Sequence, residues 1–320
     1  MPLIPNSNKT GLNDKPQAPA KQEVQFRKSA PIYTFADLIL ADKTMDELKT
    51  VVSAQKNWKK VFIDWGLGTV MKERKNLFVN LYGDSGTGKS MSAHAIAAAL
   101  DKKLVCVNYA DIESKYVGET SKNLSKLFSD PAIKEDIIFF DEADALLSKR
   151  VTDMSSATDV SVNQTRSVLL TLLNAYEGMV IFATNFISNY DSAFMRRIHY
   201  HIRFELPNAE LREKLWQHYI PSQMPVNVDS HKLAEEYNGL SGSDISTAVM
   251  KAALNAAKNN SAAVTESDFR LAIDSIVASK KANTSSSNPI ITKSEIISED
   301  QVPPEILNKA QNINGKECEV

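Results

Sequence analysis

Two short runs hold the residues best suited to chemistry. The first is GDSGTGKS at 83–90, which meets the spacing G-x-x-x-x-G-K-[ST] through Gly83, Gly88, Lys89 and Ser90, with Gly86 an extra glycine inside it. Glycines let a backbone curl until several N–H groups converge on one phosphate. Asp84, Ser85 and Thr87 complete the loop and Met91 follows it. Lys89 is placed to reach terminal phosphates, and the Ser90 hydroxyl to ligate Mg²⁺. This is the chemistry of a nucleoside-triphosphate site. The second run is IIFFDEAD at 137–144, four apolar residues and then adjacent carboxylates. Asp141 is suited to hold Mg²⁺, directly or through water. Glu142 is suited to orient and deprotonate an attacking water. Asp144 reads as a helix-start residue. Asp-Glu after an apolar run says little alone, but in a chain with a phosphate loop it points to the same site.

Other candidates follow. Asn185 ends the apolar run MVIFATN, where its amide can reach a γ-phosphate and the attacking water, or simply serve a turn. Arg196 and Arg197 follow eleven and twelve residues later. Such a pair is either solvated charge or a guanidinium suited to a transferring phosphoryl group on a neighbouring subunit. His199 and His201 form H-x-H, but without Cys or carboxylate partners at ligand spacing no metal site is expected. Tyr116 and Val117 sit in KYVGE, where spacing alone suggests a Tyr packed at a strand-to-helix junction.

The elements that must position these residues are legible as patterns. LFVNLY at 77–82 reads as a buried strand and MSAHAIAAAL at 91–100 as a helix, the strand–loop–helix order a phosphate loop requires. LVCVN at 104–108 is a second strand, and 137–140 reads as a strand buried on both faces. Its carboxylates fall at the C-terminal strand end, where open α/β sheets place ligands. Residues 148–161 are polar and are expected to form a loop before a helix that ends near Gly178. An earlier helix is expected with Asp42 or Thr44 as its N-cap. From Pro207 strands stop and about four helices are expected, the third capped by Ser243-Asp244 and the fourth by Thr265. Residues 1–30 and 281–320 are Pro/Asn/Lys/Gln-rich and Ser/Asn/Glu-rich, without periodicity, and are expected to be disordered.

Composition bounds the rest. The 320 residues are 43% apolar and 24% charged, with a net charge of −2, an ordinary globular balance that makes no demand for nucleic acid or an anionic membrane. Two cysteines, Cys106 and Cys318, form no disulfide framework and fit a reducing, cytoplasmic compartment. No apolar run has the length of a membrane span, and the N-terminus lacks a signal-peptide core.

In this order the runs resemble the AAA+ ATPase module, in the AAA subgroup proper, over about residues 31–280. The resemblance implies a P-loop parallel five-stranded sheet sandwiched by helices as a large α/β domain at 31–206. A small all-α lid at 207–280 and tails at 1–30 and 281–320 would complete the chain. GDSGTGKS matches the Walker A loop and IIFFDEAD the Walker B strand. Asn185 falls at the sensor-1 position, and Arg196 and Arg197 where the family keeps trans-acting arginine fingers. The RRIHY segment is shorter than in many members, and which Arg is the finger stays open. KYVGE resembles pore loop 1, by which such rings grip a polypeptide, so Tyr116 and Val117 become substrate-contact candidates. GLSGSDI at 239–245 is similar to a lid motif that brings small residues, here Gly242 and Ser243, to the nucleotide. Asn108 falls where the superfamily can restrain the catalytic Glu.

The chain is most similar to stand-alone prokaryotic members, including those associated with contractile injection systems. The resemblance implies an ATP- and Mg²⁺-dependent hydrolase that forms a homo-oligomeric ring, a hexamer in the family's usual form. Such a ring remodels or threads a protein substrate or assembly. With no folded recognition or protease domain expected, the choice of substrate would fall to the tails, the ring surface or an adaptor. Three alternatives stand beside this. A nucleic-acid loader would favour basic patches. An activase would serve a single enzyme complex. A non-hydrolysing scaffold ring is argued against by Lys89, Asp141 and Glu142 together.

Overall fold

The apolar run before the phosphate loop becomes the hub of a sheet. In this computed structural model the described residues are 26, 28–71, 76–108, 112, 119–148, 157–185 and 190–284. Strand β2 (Leu77–Gly83) pairs in parallel with β5 (Met179–Thr184) on one side and β6 (Tyr200–Phe204) on the other. Beyond β5 lie β4 (Ile137–Phe140) and then β3 (Leu104–Val107), both parallel. A two-residue strand β1 (Lys28–Ser29) closes the far edge antiparallel to β3, giving the order β1-β3-β4-β5-β2-β6.

Five parallel strands match the sequence expectation, and β1 adds a sixth from a stretch expected to be a disordered tail. The cause is local. The Lys28 ammonium meets Asp136 at 2.6 Å, and Ser29 Oγ donates to the Leu104 carbonyl at 3.4 Å, which holds the segment on an otherwise open edge.

Alternation along the strands builds two cores. Phe78, Ile138, Phe140, Val180 and Phe182 face one side. There they pack under α3 (Glu119–Ser129) and α5 (Ala157–Ala175), through Leu124, Leu127, Leu169 and Leu173. Val79, Leu81, Phe139 and Ile181 face the other, under α1 (Asp42–Lys56) and α2 (Lys89–Ala99). Each such side chain contributes about 1.5–3 kcal/mol through burial. Two short helices, α4 (Asp144–Leu147) and α6 (Ser192–Met195), follow β4 and precede β6.

Some boundaries differ from the expectation. α5 begins at Ala157, inside the stretch expected as a loop. The N-cap of α1 is Ala41, not Asp42 or Thr44; Thr44 Oγ1 instead donates to the Arg203 carbonyl at 3.2 Å and ties α1 to β6.

After Pro207 come α7 (Ala209–Tyr219), α8 (Ser230–Glu236), α9 (Gly242–Lys258) and α10 (Glu266–Thr284), around a third core with Trp216 and Phe269 ring to ring at 5.8 Å. This unit is not purely helical: β7 (Val226–Asn227) and β8 (Val264–Thr265) pair in parallel between its helices. The cap of α9 is Ser241, not Ser243. Ser241 Oγ accepts from the Asp244 N–H while Asp244 reaches back to the Ser241 N–H at 2.7 Å, a reciprocal capping box. Thr265 precedes α10, and Asp268 accepts from its N–H at 3.0 Å. Among the described residues no helix is long and apolar enough to cross a membrane.

Candidate functional site

The phosphate loop runs from the end of β2 to the start of α2. Gly83 closes the strand at φ +133°, and a Cβ there would stand 2.0 Å from the Phe204 carbonyl oxygen, so only glycine lets β2 finish beside β6. Lys89 opens α2 and is almost wholly buried. Its ammonium donates to the carbonyls of Gly83 at 2.7 Å and Asp84 at 2.8 Å, and to Asn185 Oδ1 at 2.9 Å. Burial pushes its pKa below the usual lysine value, while the charges of Asp141, Asp84 and Asp144 pull the other way. Thr87 Oγ1 donates to the Asp84 carbonyl at 2.7 Å and stiffens the turn.

The two chemistry-bearing runs meet here. Ser90 Oγ donates to Asp141 Oδ2 at 2.9 Å, and Asp141 Oδ1 accepts from the Glu142 N–H at 3.0 Å. Glu142 is exposed, at φ +50°, on the turn after β4. A hydroxyl and a carboxylate side by side are the hard oxygen donors Mg²⁺ takes. Among the described residues no group of three His, Cys, Asp or Glu could hold a metal alone. The fit is therefore to a cation sharing Ser90 and Asp141 with phosphate oxygens and water.

A cavity of about 530 Å³ lies between this loop and the helices that follow Pro207. Its polar end is formed by Ser85–Met91 with Asp141, Glu142 and Asn185. Away from these residues its apolar lining is Leu38, Ile39, Leu40, Leu211 and Leu215 beside His218 and Tyr219, with Asp37, Thr44, Glu205 and Asn208 at its edges. Gly242 and Ser243 also line it, and the Ser243 N–H donates to the Gly86 carbonyl at 3.1 Å. Gly86 stands at φ +74°, and a Cβ on it would lie 2.7 Å from both Ser241 Oγ and Ser243 Cβ.

Sequence reasoning missed the apolar lining. Leu38 to Leu40 read as the approach to α1. Leu211, Leu215 and His218 share one helical face that reads as ordinary packing.

Asn185 directly follows β5, opposite the turn after β4. Thr184 Oγ1 is bonded to Asp144, and the Asn185 N–H donates to Asp144 Oδ2 at 3.4 Å. Asp144 does open α4, and it also tethers the end of β5, a role its position in sequence does not show. Arg196 and Arg197 follow α6, and neither lines the cavity of its own chain. Arg197 is committed locally, its Nε to Asn174 Oδ1 and one Nη to the Ala193 carbonyl, both at 2.7 Å, whereas Arg196 is exposed. His199 is structural: its Nδ1 accepts from the Phe78 N–H at 3.1 Å. Asn108 is exposed just past β3. Tyr116 and Val117 lie outside the described residues.

Residues 79–206 match the family model described as "ATPase family associated with various cellular activities (AAA)", and residues 227–271 match that of the AAA+ lid domain. The chain belongs to the AAA ATPases. Together the two matches cover just over half of the AAA chain, with the phosphate loop, Asp141, Glu142, Asn185 and the arginine pair in the first and Gly242 and Ser243 in the second.

It is similar to the 26S proteasome regulatory subunit 8 homolog of Schizosaccharomyces pombe, at 31% identity over 74% of this chain and 59% of that one. It is similar also to the ATP-dependent zinc metalloprotease FtsH 2 of a Thermoanaerobacter species, at 28% identity over 92% of this chain and 56% of that one. A third relative is the proteasome-activating nucleotidase of Methanopyrus kandleri, at 32% identity over 63% of this chain and 48% of that one. The chain thus spans about half the length of the curated relatives it matches.

Proposed function

We propose that this AAA ATPase binds ATP in the cavity under its lid and hydrolyses it with Mg²⁺ in a ring of copies of itself. The cycle would remodel or thread a protein substrate or assembly. The observation that carries the reading is the convergence of Lys89, Ser90, Asp141, Glu142 and Asn185 on the polar end of one cavity. We assign residues 28–206 to the nucleotide-binding domain and 207–284 to the lid, and leave the flanking segments to contacts with an adaptor.

The chemistry follows from the positions. The loop N–H groups and the start of α2 offer positive charge to the phosphates. Lys89 exchanges its bonds to the Gly83 and Asp84 carbonyls for phosphate oxygens. Ser90 and Asp141 would hold Mg²⁺, which when bound neutralises charge on the β- and γ-phosphates. Glu142 accepts a proton from the water as its oxygen bonds to the γ-phosphorus and the bond to the β-phosphate oxygen breaks. Asn185, released from Lys89, orients that water. The apolar lining takes the nucleobase.

Arg196, exposed and without the local bonds that occupy Arg197, reaches the neighbour's γ-phosphate, and Arg197 braces the turn. Changes at the phosphates pass to the lid through the bond between Gly86 and Ser243. Tyr116 and Val117 are assigned the grip on the polypeptide by their likeness to pore loop 1. The relatives support a protein as the object, since one is named as a proteasome subunit and another as activating a proteasome.

The test is ATP turnover against protein concentration, with particle size measured in parallel. Turnover per chain should rise steeply with concentration. Glu142→Gln should lower it by about 10²–10⁴-fold while leaving a nucleotide-bound ring. Arg196→Ala should assemble yet lose about 10³-fold or more. Constant turnover per chain from a monomer, indifferent to both arginines, would overturn the ring reading.

A further inference from the structure

Asn80 breaks the pattern of the strand that carries it. β2 reads Leu-Phe-Val-Asn-Leu-Tyr before Gly83, and Asn80 is fully buried at its centre. It lies in phase with Phe78, on the face where Phe182 of β5 is its register partner. Among the described residues neither its Oδ1 nor its Nδ2 has a hydrogen-bond partner. A buried amide left this way costs stability that an aliphatic side chain would not. Departures of this kind from an otherwise consistent pattern concentrate where function requires them.

On its other side the register partner of Asn80 is His201 of β6. Neighbouring strands lie about 4.8 Å apart. His201 alternates with Ile202 and Phe204, which face α1 and α2, so its ring shares the face of Asn80. Its Nδ1 is likewise buried and, among the described residues, without a partner. Burial holds the ring's pKa below the usual histidine value, while the facing Met195 carbonyl pulls it up. Met195 is the residue before Arg196. Two orphaned polar groups therefore stand side by side between the strand that feeds the phosphate loop and the turn that carries the arginines. An amide that donates and an imidazole nitrogen that accepts, out of bonding distance of each other, are the partners an ordered buried water needs.

We propose that Asn80 and His201, bridged by one ordered water, are positioning residues that set the arginine turn against the phosphate loop. This rests on the reading that an arginine of one subunit completes its neighbour's site. Neither residue touches nucleotide. Both act through β6, which leads directly out of the arginine turn, on where Arg196 points.

Subunit mixing tests this with a readout that a merely structural role would not move. Lys89→Ala subunits lose the phosphate-binding ammonium and keep their arginine turn. Asn80→Leu subunits keep the phosphate loop and, on this proposal, carry a displaced turn. Asn80→Leu should fold, bind ATP within about threefold of wild type and lose most of its turnover. Mixed with Lys89→Ala it should regain at least about fivefold over either alone, because mixed rings pair intact loops with intact turns.

Arg196→Ala and Arg197→Ala, each mixed with Lys89→Ala, are the controls. If neither is complemented, the trans arginine reading falls and this proposal falls with it. If an arginine variant is complemented and Asn80→Leu is not, or if Asn80→Leu alone turns over like wild type, the proposal is overturned while that reading stands. His201→Leu should behave as Asn80→Leu and replaces it if the latter does not fold. His201→Gln, which keeps polar atoms at the site, should retain turnover, and its failing as badly as His201→Leu would also overturn the proposal.

Discussion

Lys89 and Asn185 hold one another across the phosphate loop, with Nζ 2.9 Å from Oδ1. The ammonium that opens α2 is thus oriented by the amide just past β5, and a bound triphosphate must compete for it. The two substitutions at Asn185 should therefore part company. Asn185→Ala removes the amide we propose to orient the water and should lower kcat by about 10²-fold, with ATP affinity changed by less than about tenfold. Asn185→Asp puts a charged acceptor against Lys89 and should weaken ATP binding by about tenfold or more. Equilibrium binding beside single-turnover phosphate release checks this, and equal effects of the two on affinity would refute it.

Lys89 is held at a cost in stability. Burial lowers its pKa from the ordinary 10.5. Between the lowered folded value and 10.5 the unfolded chain binds more protons, so this residue's contribution makes stability rise with pH through that window. Below the window the cost is constant. Lys89→Met removes it and should raise the Tm of the nucleotide-free protein by about 2–4 °C while abolishing the further rise that ATP produces. Thermal melts with and without ATP decide the point. A lower Tm would mean that the bonds to the Gly83 and Asp84 carbonyls outweigh the desolvation.

Gly86 is where the lid rests on the phosphate loop. A methyl group there meets Ser241 and Ser243 at 2.7 Å and requires a left-handed backbone, so Gly86→Ala should push α9 away and break the bond from the Ser243 N–H. We expect ATP affinity to fall about tenfold or more, since left-handed strain of about 1–2 kcal/mol adds to the clash. Hydrogen exchange should quicken at the start of α9 and stay unchanged in β4 and β5. Wild-type affinity would show that the lid contact is incidental to binding.

Tyr176 gives an alkaline signature. Burial beside Asp136 and Glu135 pushes its phenol up to about 12. Its folded pKa is raised, so the stability it contributes is whole below the unfolded value near 10 and is lost as pH climbs through about 12. The loss approaches about 3 kcal/mol, because each tenfold change in proton affinity is worth roughly 1.4 kcal/mol. Tyr176→Phe should flatten that part of the stability–pH curve in urea titrations at about pH 9–12, while leaving ATP turnover near neutral pH unchanged. A curve as steep as wild type would show that the decline belongs to other groups.

Much of the fold was legible because the site and the strands announce themselves by short-range patterns. Leu77 to Gly83 is an apolar run before glycines, and Ile137 to Phe140 an apolar run before carboxylates, and each pattern is complete within a few residues. Caps were legible only as neighbourhoods. Ser241 and Ser243 both suit the start of α9, and which hydroxyl turns inward depends on Asp244 closing the box. β1 was not legible at all. Lys28 and Ser29 have no strand pattern and are held by β3 and Asp136, partners far along the chain.

Chain order alone dictated the chemistry of the nucleotide site, because a phosphate loop needs particular residue types at fixed short spacing. It dictated the two-sided burial of the central strands for the same reason. What closes the site, and what its side chains hold, came from folding in three dimensions. The apolar lining joins Leu38 to Leu40 with Leu211, Leu215 and His218, segments about 170 residues apart whose pattern is that of any packed element. Asp144 became a tether for β5, Arg197 a brace on Asn174, and Asn80 a polar group beside His201, each through a neighbour that folding supplies. Hydrogen bonds and desolvation depend on which atoms meet within a few ångströms, and chain order does not encode that distance locally.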